Sequence, residues 1–156
     1  MKEKILEAFK ELGFKLEEEE GMGYCFNYEG LNLLYMYNEN DEEFLNIALP
    51  GIVDVEEDKM LQICALLEKI NSTLKYIKAY ILGNSVWLFY ERELFGKEDL
   101  MTVISRMILH LEAGLSFARK AMTEIEETMT NDSSDDDTAE SAEEIDAEEI
   151  TDDDNE

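Results

Sequence analysis

The sequence predicts an α+β domain over residues 1–129, followed by an acidic, disordered tail over residues 130–156. Three observations predict this. Apolar residues recur at helical spacing in three segments, they alternate with polar residues in five shorter ones, and they almost vanish after Thr130. The predicted order is α-β-β-β-α-β-β-α, a five-stranded antiparallel sheet with flanking helices and a long C-terminal helix.

The first predicted elements are a short helix and three strands. A stripe of Ile5, Leu6, Phe9 and Leu12 marks the helix, and Gly13 stands where a left-handed helix cap belongs. Large residues then alternate with smaller or polar ones, which is typical of strands. The three strands are Tyr24–Tyr28, Leu31–Tyr37 and Phe44–Leu49, and Pro50-Gly51 should end the third because proline cannot donate to a ladder.

The second helix is predicted after Asp54 and Glu57, which form a plausible N-capping pair. Its apolar stripe is wide, running from Met60 to Ile70, so the helix should contact neighbours on two sides. Asn71-Ser72-Thr73 should close it.

The stretch "AYILGNSVWLFYEREL" (Ala79–Leu94) predicts a β-hairpin around a two-residue Gly83-Asn84 turn of type II′. This register pairs Ile81 with Val86, Ala79 with Leu88 and Ile77 with Tyr90 on an aliphatic face that should join the core. The opposite face should carry Tyr76, Tyr80, Trp87 and Phe89. These four aromatic residues are our candidate protein-binding residues, because Tyr and Trp are enriched at interface centres. The alternative is that a helix covers them.

The last helix is predicted from about Glu98 to Glu127, longer than a domain of this size needs. The tail beyond it contains fourteen Asp or Glu and no Lys or Arg, which predicts disorder, with Ala139–Ile150 transiently helical. We favour a solubilising role for the tail. The alternative is an arm that docks on a basic partner.

Charge excludes several classes of partner. The formal net charge is −26, and residues 1–129 still carry 25 acidic and 13 basic residues. Such a surface repels phosphate backbones and anionic membranes, so we expect no nucleic-acid or membrane partner. No apolar run approaches transmembrane length and no leader pattern opens the sequence, so we expect a cytoplasmic protein.

No constellation typical of catalysis, cofactor binding or metal binding is present in the sequence. His110 is the one histidine, and Cys25 and Cys64 lie too far apart for a metal or redox spacing. Gly21–Gly23 lacks the third glycine of a dinucleotide fingerprint, and the acidic clusters at Asn38–Glu43 and Asp135–Asp137 lack EF-hand spacing. We therefore predict no enzyme and no cofactor.

The stretch "LLEKINSTLKYIKAYILGNSVWLFYEREL" (Leu66–Leu94) resembles the YbjN-domain family of bacterial proteins, which are named as sensory transduction regulators. The resemblance lies in a helix ending in the Ile70-Asn71 pair, a strand, a tight turn, a "VWLFYE" strand and a long final helix. It implies a fold like that of type III secretion chaperones over about residues 1–127. It also implies a protein that is often dimeric and has no known catalytic activity, and it assigns no site residue.

Our leading hypothesis is a non-enzymatic protein-binding module, chaperone-like or regulatory, whose unidentified protein partner is basic. We predict a homodimer whose contact involves the second helix or the aromatic sheet face. The alternative is a small-molecule-sensing regulatory domain with a pocket under the sheet, for which Tyr35, Tyr37 and Tyr90 are the candidates.

Overall fold

The computed structural model describes residues 1–135, and the remainder of the predicted tail, including Ala139–Ile150, lies outside the described residues. The helices are α1 (Lys2–Glu11), α2 (Met60–Thr73) and α3 (Leu100–Asp135), and a short 3-10 helix covers Glu57–Lys59. The strands are β1 (Glu17–Glu19), β2 (Gly23–Tyr28), β3 (Leu31–Met36), β4 (Phe44–Asp54), β5 (Ile77–Leu82) and β6 (Ser85–Glu93). The α+β class and the long last helix are confirmed.

The described strands form one antiparallel sheet of six strands in the order β1-β2-β3-β4-β6-β5, so the prediction of five strands was wrong. The extra strand is β1, which pairs Glu17 with Cys25 and Glu19 with Gly23. Its three glutamates are all exposed and carry no hydrophobic alternation. Only the pairing with β2 makes this segment a strand, and a search of the sequence for hydrophobic alternation cannot detect such pairing.

Strand β4 also differs from the prediction, because it continues through Pro50-Gly51 to Asp54. Its pairing with β6 shifts register between Leu49 and Val53. Pro50 lies inside this irregular region, where the ladder does not need its missing N–H, so the strand tolerates the proline.

Helix α2 begins later than predicted. Asp54 is the last residue of β4, and Glu57 opens the 3-10 helix, so they form no capping pair. The α-helix starts at Met60 without a side-chain cap hydrogen bond and ends at Thr73, as predicted.

All three helices cover the same face of the sheet. The main core joins Phe9 of α1, Leu66 of α2 and Ile104 of α3 to Leu45 of β4 and Leu88 of β6. The hairpin register is confirmed at every predicted pair. Gly83 has φ +64° and Asn84 is not among the residues with positive φ, as a type II′ turn requires.

Helix α3 begins at Leu100 and continues six residues past the predicted boundary at Met129, to Asp135. Asp99 precedes it and accepts hydrogen bonds from the N–H and the hydroxyl of Thr102. By length and composition alone, its Leu100–Asn131 stretch is sufficient to cross a membrane, contrary to the expectation from sequence. The same stretch supplies Ile104, Met107, Ile108 and Leu111 to the core. A core helix meets the same criteria, so this stretch is weak evidence for a membrane.

Candidate protein-binding surface

The face of the sheet opposite the helices, which we call the outer face, has its own small apolar cluster. Leu34, Ala48 and Phe89 are buried there, with Cys25, Met36 and Trp87 packed against them. Cys25, Leu34, Ala48 and Phe89 are successive partners across β2, β3, β4 and β6 and therefore form one cross-strand row. No helix side chain belongs to this cluster among residues 1–131, so within that range the alternative that a helix covers the aromatic residues was wrong.

Three aromatic side chains stack along one end of the outer face. The rings of Tyr80 and Phe89 lie 4.1 Å apart with an interplanar angle of 2°, and those of Trp87 and Phe89 lie 6.0 Å apart at 15°. Phe89 is fully buried, Trp87 is half-buried, and Tyr80 is 42% exposed. The alternation predicted from the sequence therefore does direct these rings away from the main core.

Tyr76 is not part of this stack, so its predicted place on the aromatic face was wrong. It precedes β5 with φ +69°, a left-handed conformation that interrupts the strand alternation. Its ring stacks on Tyr90 at 5.5 Å and meets His110 of α3 edge-on at 5.6 Å. Tyr76 is therefore on the helix side of the sheet, where it is exposed.

A polar network borders the stack. Lys78 Nζ donates to Glu91 Oε2 at 2.6 Å, and Asn46 Nδ2 donates to Glu91 Oε1 at 3.0 Å. Hydrogen bonding to Glu91 and its negative charge raise the pKa of Lys78. Burial, and then Glu91, raise the pKa of Tyr80, so its hydroxyl remains protonated at neutral pH and can donate a hydrogen bond.

Both edges of the sheet are protected. The β1 edge is short and carries three exposed glutamates, which discourages the addition of another strand. At the β5 edge, the Asn71 side chain donates to the Ala79 carbonyl at 2.9 Å and accepts from the Ala79 N–H at 2.8 Å. The amide thus occupies both ladder groups of Ala79, so contact through the outer face is favoured over contact through an edge.

The sequence reasoning missed a depression beside the aromatic stack, which we call the acidic depression. Met22, Met36 and Phe44 contribute apolar walls, Asn46 and Glu91 lie between them, and Asp41 is on the rim. Its volume is about 330 Å³. The alternation of β4 places Phe44 and Asn46 on the same face as Ala48. This alternation is visible in the sequence and could have indicated the site.

The tyrosines named for a small-molecule pocket are not brought together. Tyr35 is fully buried in the main core, and its burial strongly raises the pKa of its phenol. Tyr37 donates to Glu42 at 2.8 Å, and Tyr90 packs against Tyr76 and His110. Tyr37 lines the acidic depression, whereas Tyr35 and Tyr90 do not. The sensing alternative therefore stays a prediction that this geometry does not support.

The single histidine and Cys25 were the residues considered for catalytic or metal-binding chemistry. Burial, followed by the charges of Glu19 and Glu17, raises the pKa of the Cys25 thiol and so disfavours the reactive thiolate. His110 Nδ1 lies 2.7 Å from the Arg106 carbonyl oxygen, one turn earlier in α3. Over this part of the chain, no three His, Cys, Asp or Glu residues are grouped as metal ligands would be.

Helix α2 presents a second apolar surface, at its N-terminal end. Leu61 is 71% exposed, and Met60 and Cys64 are exposed beside it. Ile63, Leu66 and Ile70 point into the core from the same helix. The wide stripe predicted for this helix is therefore divided between the core and solvent.

Comparisons with known proteins identify the fold. No model of a known protein family matches the sequence, and neither does any curated protein. Among solved structures, one match is YbjN from E. coli, described as a proposed transcription regulator, with a TM-score of 0.57, 12% identity, and coverage of 74% of this chain and 86% of that one. Another is an uncharacterized protein from Methanothermobacter thermautotrophicus, with a TM-score of 0.50, 18% identity, and coverage of 81% and 96%. At these identities the likeness concerns the fold alone, and the chain has a YbjN-like fold.

Proposed function

We propose that this chain is a non-enzymatic protein-binding module that recognises another protein through its outer face. The observation that carries the proposal is the Tyr80–Phe89–Trp87 stack on a sheet face with no described helix over it. Aromatic residues of this kind bind partners well because they bury a large area at low entropic cost. The protected edges favour the same surface.

We further propose that the module is a homodimer whose contact is the exposed end of α2. Leu61, Met60 and Cys64 form a small apolar surface that a two-fold contact would bury from both subunits. The outer face is less suited to self-association, because β1 and the loop between β3 and β4 would bring acidic residues of both copies together. A cytoplasmic location and a chaperone-like or regulatory role belong to the same proposal.

The test compares two variants that each place a carboxylate on one surface. Trp87→Glu alters the outer face and Leu61→Glu alters α2, so the two variants add the same charge. Proteins captured from a lysate of the source cell by the wild-type chain should be lost with Trp87→Glu and retained with Leu61→Glu. Equal capture by the wild-type chain and Trp87→Glu would refute the binding surface.

Light scattering tests the dimer independently. We expect the wild-type chain and Trp87→Glu to be dimers at tens of micromolar, the range in which contacts of about 6–7 kcal/mol associate, and Leu61→Glu to be a monomer. A monomeric wild-type chain at that concentration would refute the dimer but would leave the binding surface untouched.

A further inference from the structure

The acidic depression has walls and charges that match one type of side chain. Met36, Asn46 and Glu91, which line it, are successive partners across β3, β4 and β6 and therefore belong to one cross-strand row. Phe44 is 43% exposed and Met22 is 36% exposed at its margin. Flexible methionines and an aromatic ring form an adaptable apolar wall around polar groups.

Acidic residues predominate in the segment of the chain that surrounds the acidic depression. From Leu16 to Asp58, a segment that includes β1 to β4, the sequence contains no Lys, Arg or His. The loop between β3 and β4 contains Glu39, Asp41, Glu42 and Glu43, and Asp41 lines the depression. Lys78 pairs with Glu91 from the β5 side and neutralises that carboxylate in part, so Asp41 is the other carboxylate that gives the depression its negative charge.

One acceptor in the acidic depression is also unsatisfied. Asn46 directs its Nδ2 to Glu91, and its Oδ1 is enclosed without a hydrogen-bond donor among the described residues. An enclosed acceptor without a partner costs free energy, which a donor entering the depression would recover once the amide shifts toward it.

We propose that the acidic depression binds an arginine side chain from a basic and apolar segment of a partner protein. This proposal rests on the proposed function, of which it specifies the partner. The guanidinium group presents a planar face that packs on methionine and aromatic side chains, and a rigid fork of donors that matches carboxylates and amide oxygens. The adjoining Tyr80–Phe89–Trp87 stack then receives the apolar residues of the same segment.

A second copy of the chain is a poorer occupant. The chain contains three arginines, of which Arg92 already pairs with Glu98 at 3.7 Å. A second copy would also bring its own acidic loop toward this one, which costs free energy. Nucleic acid is disfavoured by the same carboxylates.

The NMR signals of the methionine methyl groups can report binding at the acidic depression. The chain contains eight, and two of them, Met22 and Met36, line the acidic depression. In the full chain labelled with ¹³C at the methionine methyl groups, an acetyl-Leu-Arg-Leu-Arg-Leu-amide peptide should shift the Met22 and Met36 signals in a saturable manner. The signals of Met101, exposed on α3, and of Met60, which belongs to the proposed dimer contact on α2, should stay in place.

Three comparison peptides separate charge from hydrophobicity. Replacing both arginines with citrulline keeps the shape but removes the charge, and it should weaken binding about tenfold. Replacing both arginines with lysine should weaken binding less than replacing them with citrulline, and replacing both with glutamate should abolish binding. Equal binding of the arginine and citrulline peptides, or shifts confined to Met60 and Met101, would overturn the proposal even if Trp87→Glu still abolishes partner capture.

Variants locate the site within the chain. Asp41→Asn and Phe44→Ser should each weaken binding of the arginine peptide by about threefold or more. Glu57→Gln should not, because it removes the same charge as Asp41→Asn but lies past the opposite end of β4 from the depression. Asp41 is exposed in a loop, so its variant stays informative even if Phe44→Ser folds poorly. Unchanged peptide binding by Asp41→Asn would refute the site. The proposal would also fail if the Met22 and Met36 signals shifted with protein concentration in the absence of peptide, because a second copy of the chain would then be the occupant.

Discussion

Asn71 shows how much one side chain can determine in this fold. It sits in the last turn of α2, and its amide makes both hydrogen bonds that a neighbouring strand would make with Ala79. Asn71 therefore docks the helix on the edge strand and also occupies that edge at Ala79. The Ile70-Asn71 pair, which carried part of the family resemblance, thus has a physical role in the fold.

Replacing Asn71 with alanine should lower the free energy of unfolding by about 1–3 kcal/mol, because two partly buried hydrogen bonds are lost and the Ala79 groups lose their partner. Urea unfolding followed by circular dichroism measures the change. The adjacent Ser72→Ala variant is the control and should change stability by less than about 0.5 kcal/mol, since Ser72 makes only a long hydrogen bond to Lys69. Equal stability of the two variants would contradict the role given to Asn71.

At the scale of elements, the start of α3 depends on two carboxylates. Asp99 accepts from the Thr102 hydroxyl at 2.7 Å, and Glu98 accepts from the Phe95 N–H at 2.7 Å. These hydrogen bonds favour the charged forms, so the pKa of Asp99 lies below its ordinary value of 3.8 and that of Glu98 lies below 4.5. A carboxyl group whose pKa is lower in the folded state stabilises the fold above its unfolded pKa.

The thermal midpoint should therefore fall as the pH drops from 5 through about 4 and below, where the folded carboxylates take up protons. Calorimetry over this range measures the slope. In a Glu98→Gln/Asp99→Asn variant the slope should be shallower, because these two groups no longer titrate. A slope equal to that of the wild-type chain would show that other acidic residues govern the acid sensitivity.

At the scale of the whole molecule, the stability of the fold resides in the part that packs on the sheet. Ala121 is buried, Met122 and Ile125 pack against the core, and Lys69 of α2 pairs with Glu124 of α3. The predicted boundary after Met129 thus falls beyond the last side chains assigned to the core cluster, although the helix itself continues to Asp135.

Truncation after Met129 should change the melting temperature by less than about 2 °C, the shift expected from surface residues in a chain of this size. Truncation after Lys120 is the contrasting variant and should lower the melting temperature strongly, since it removes Ala121, Met122 and Ile125 from the core. Differential scanning calorimetry of both chains makes the comparison. A large drop for the shorter truncation would show that residues beyond 129 pack on the domain.

The sequence alone determined the features that depend on neighbours close along the chain. The β5–β6 register follows from a two-residue turn with alternation on both sides, and the αL conformation of Gly13 (φ +87°) follows from the end of one apolar stripe. In both cases the contacting residues lie within a short loop, so local spacing defines the geometry.

Only the tertiary structure decided what depends on distant partners. The extra strand β1 exists because β2 pairs with it, β4 passes Pro50 because β6 accommodates a bulge there, and Tyr76 turns to the helix side because its left-handed backbone interrupts the alternation. The helices cover one face and leave Trp87 on the other, a choice that alternation cannot make because both faces contain apolar residues. The free energy that selects between the faces comes from packing among segments far apart in the sequence.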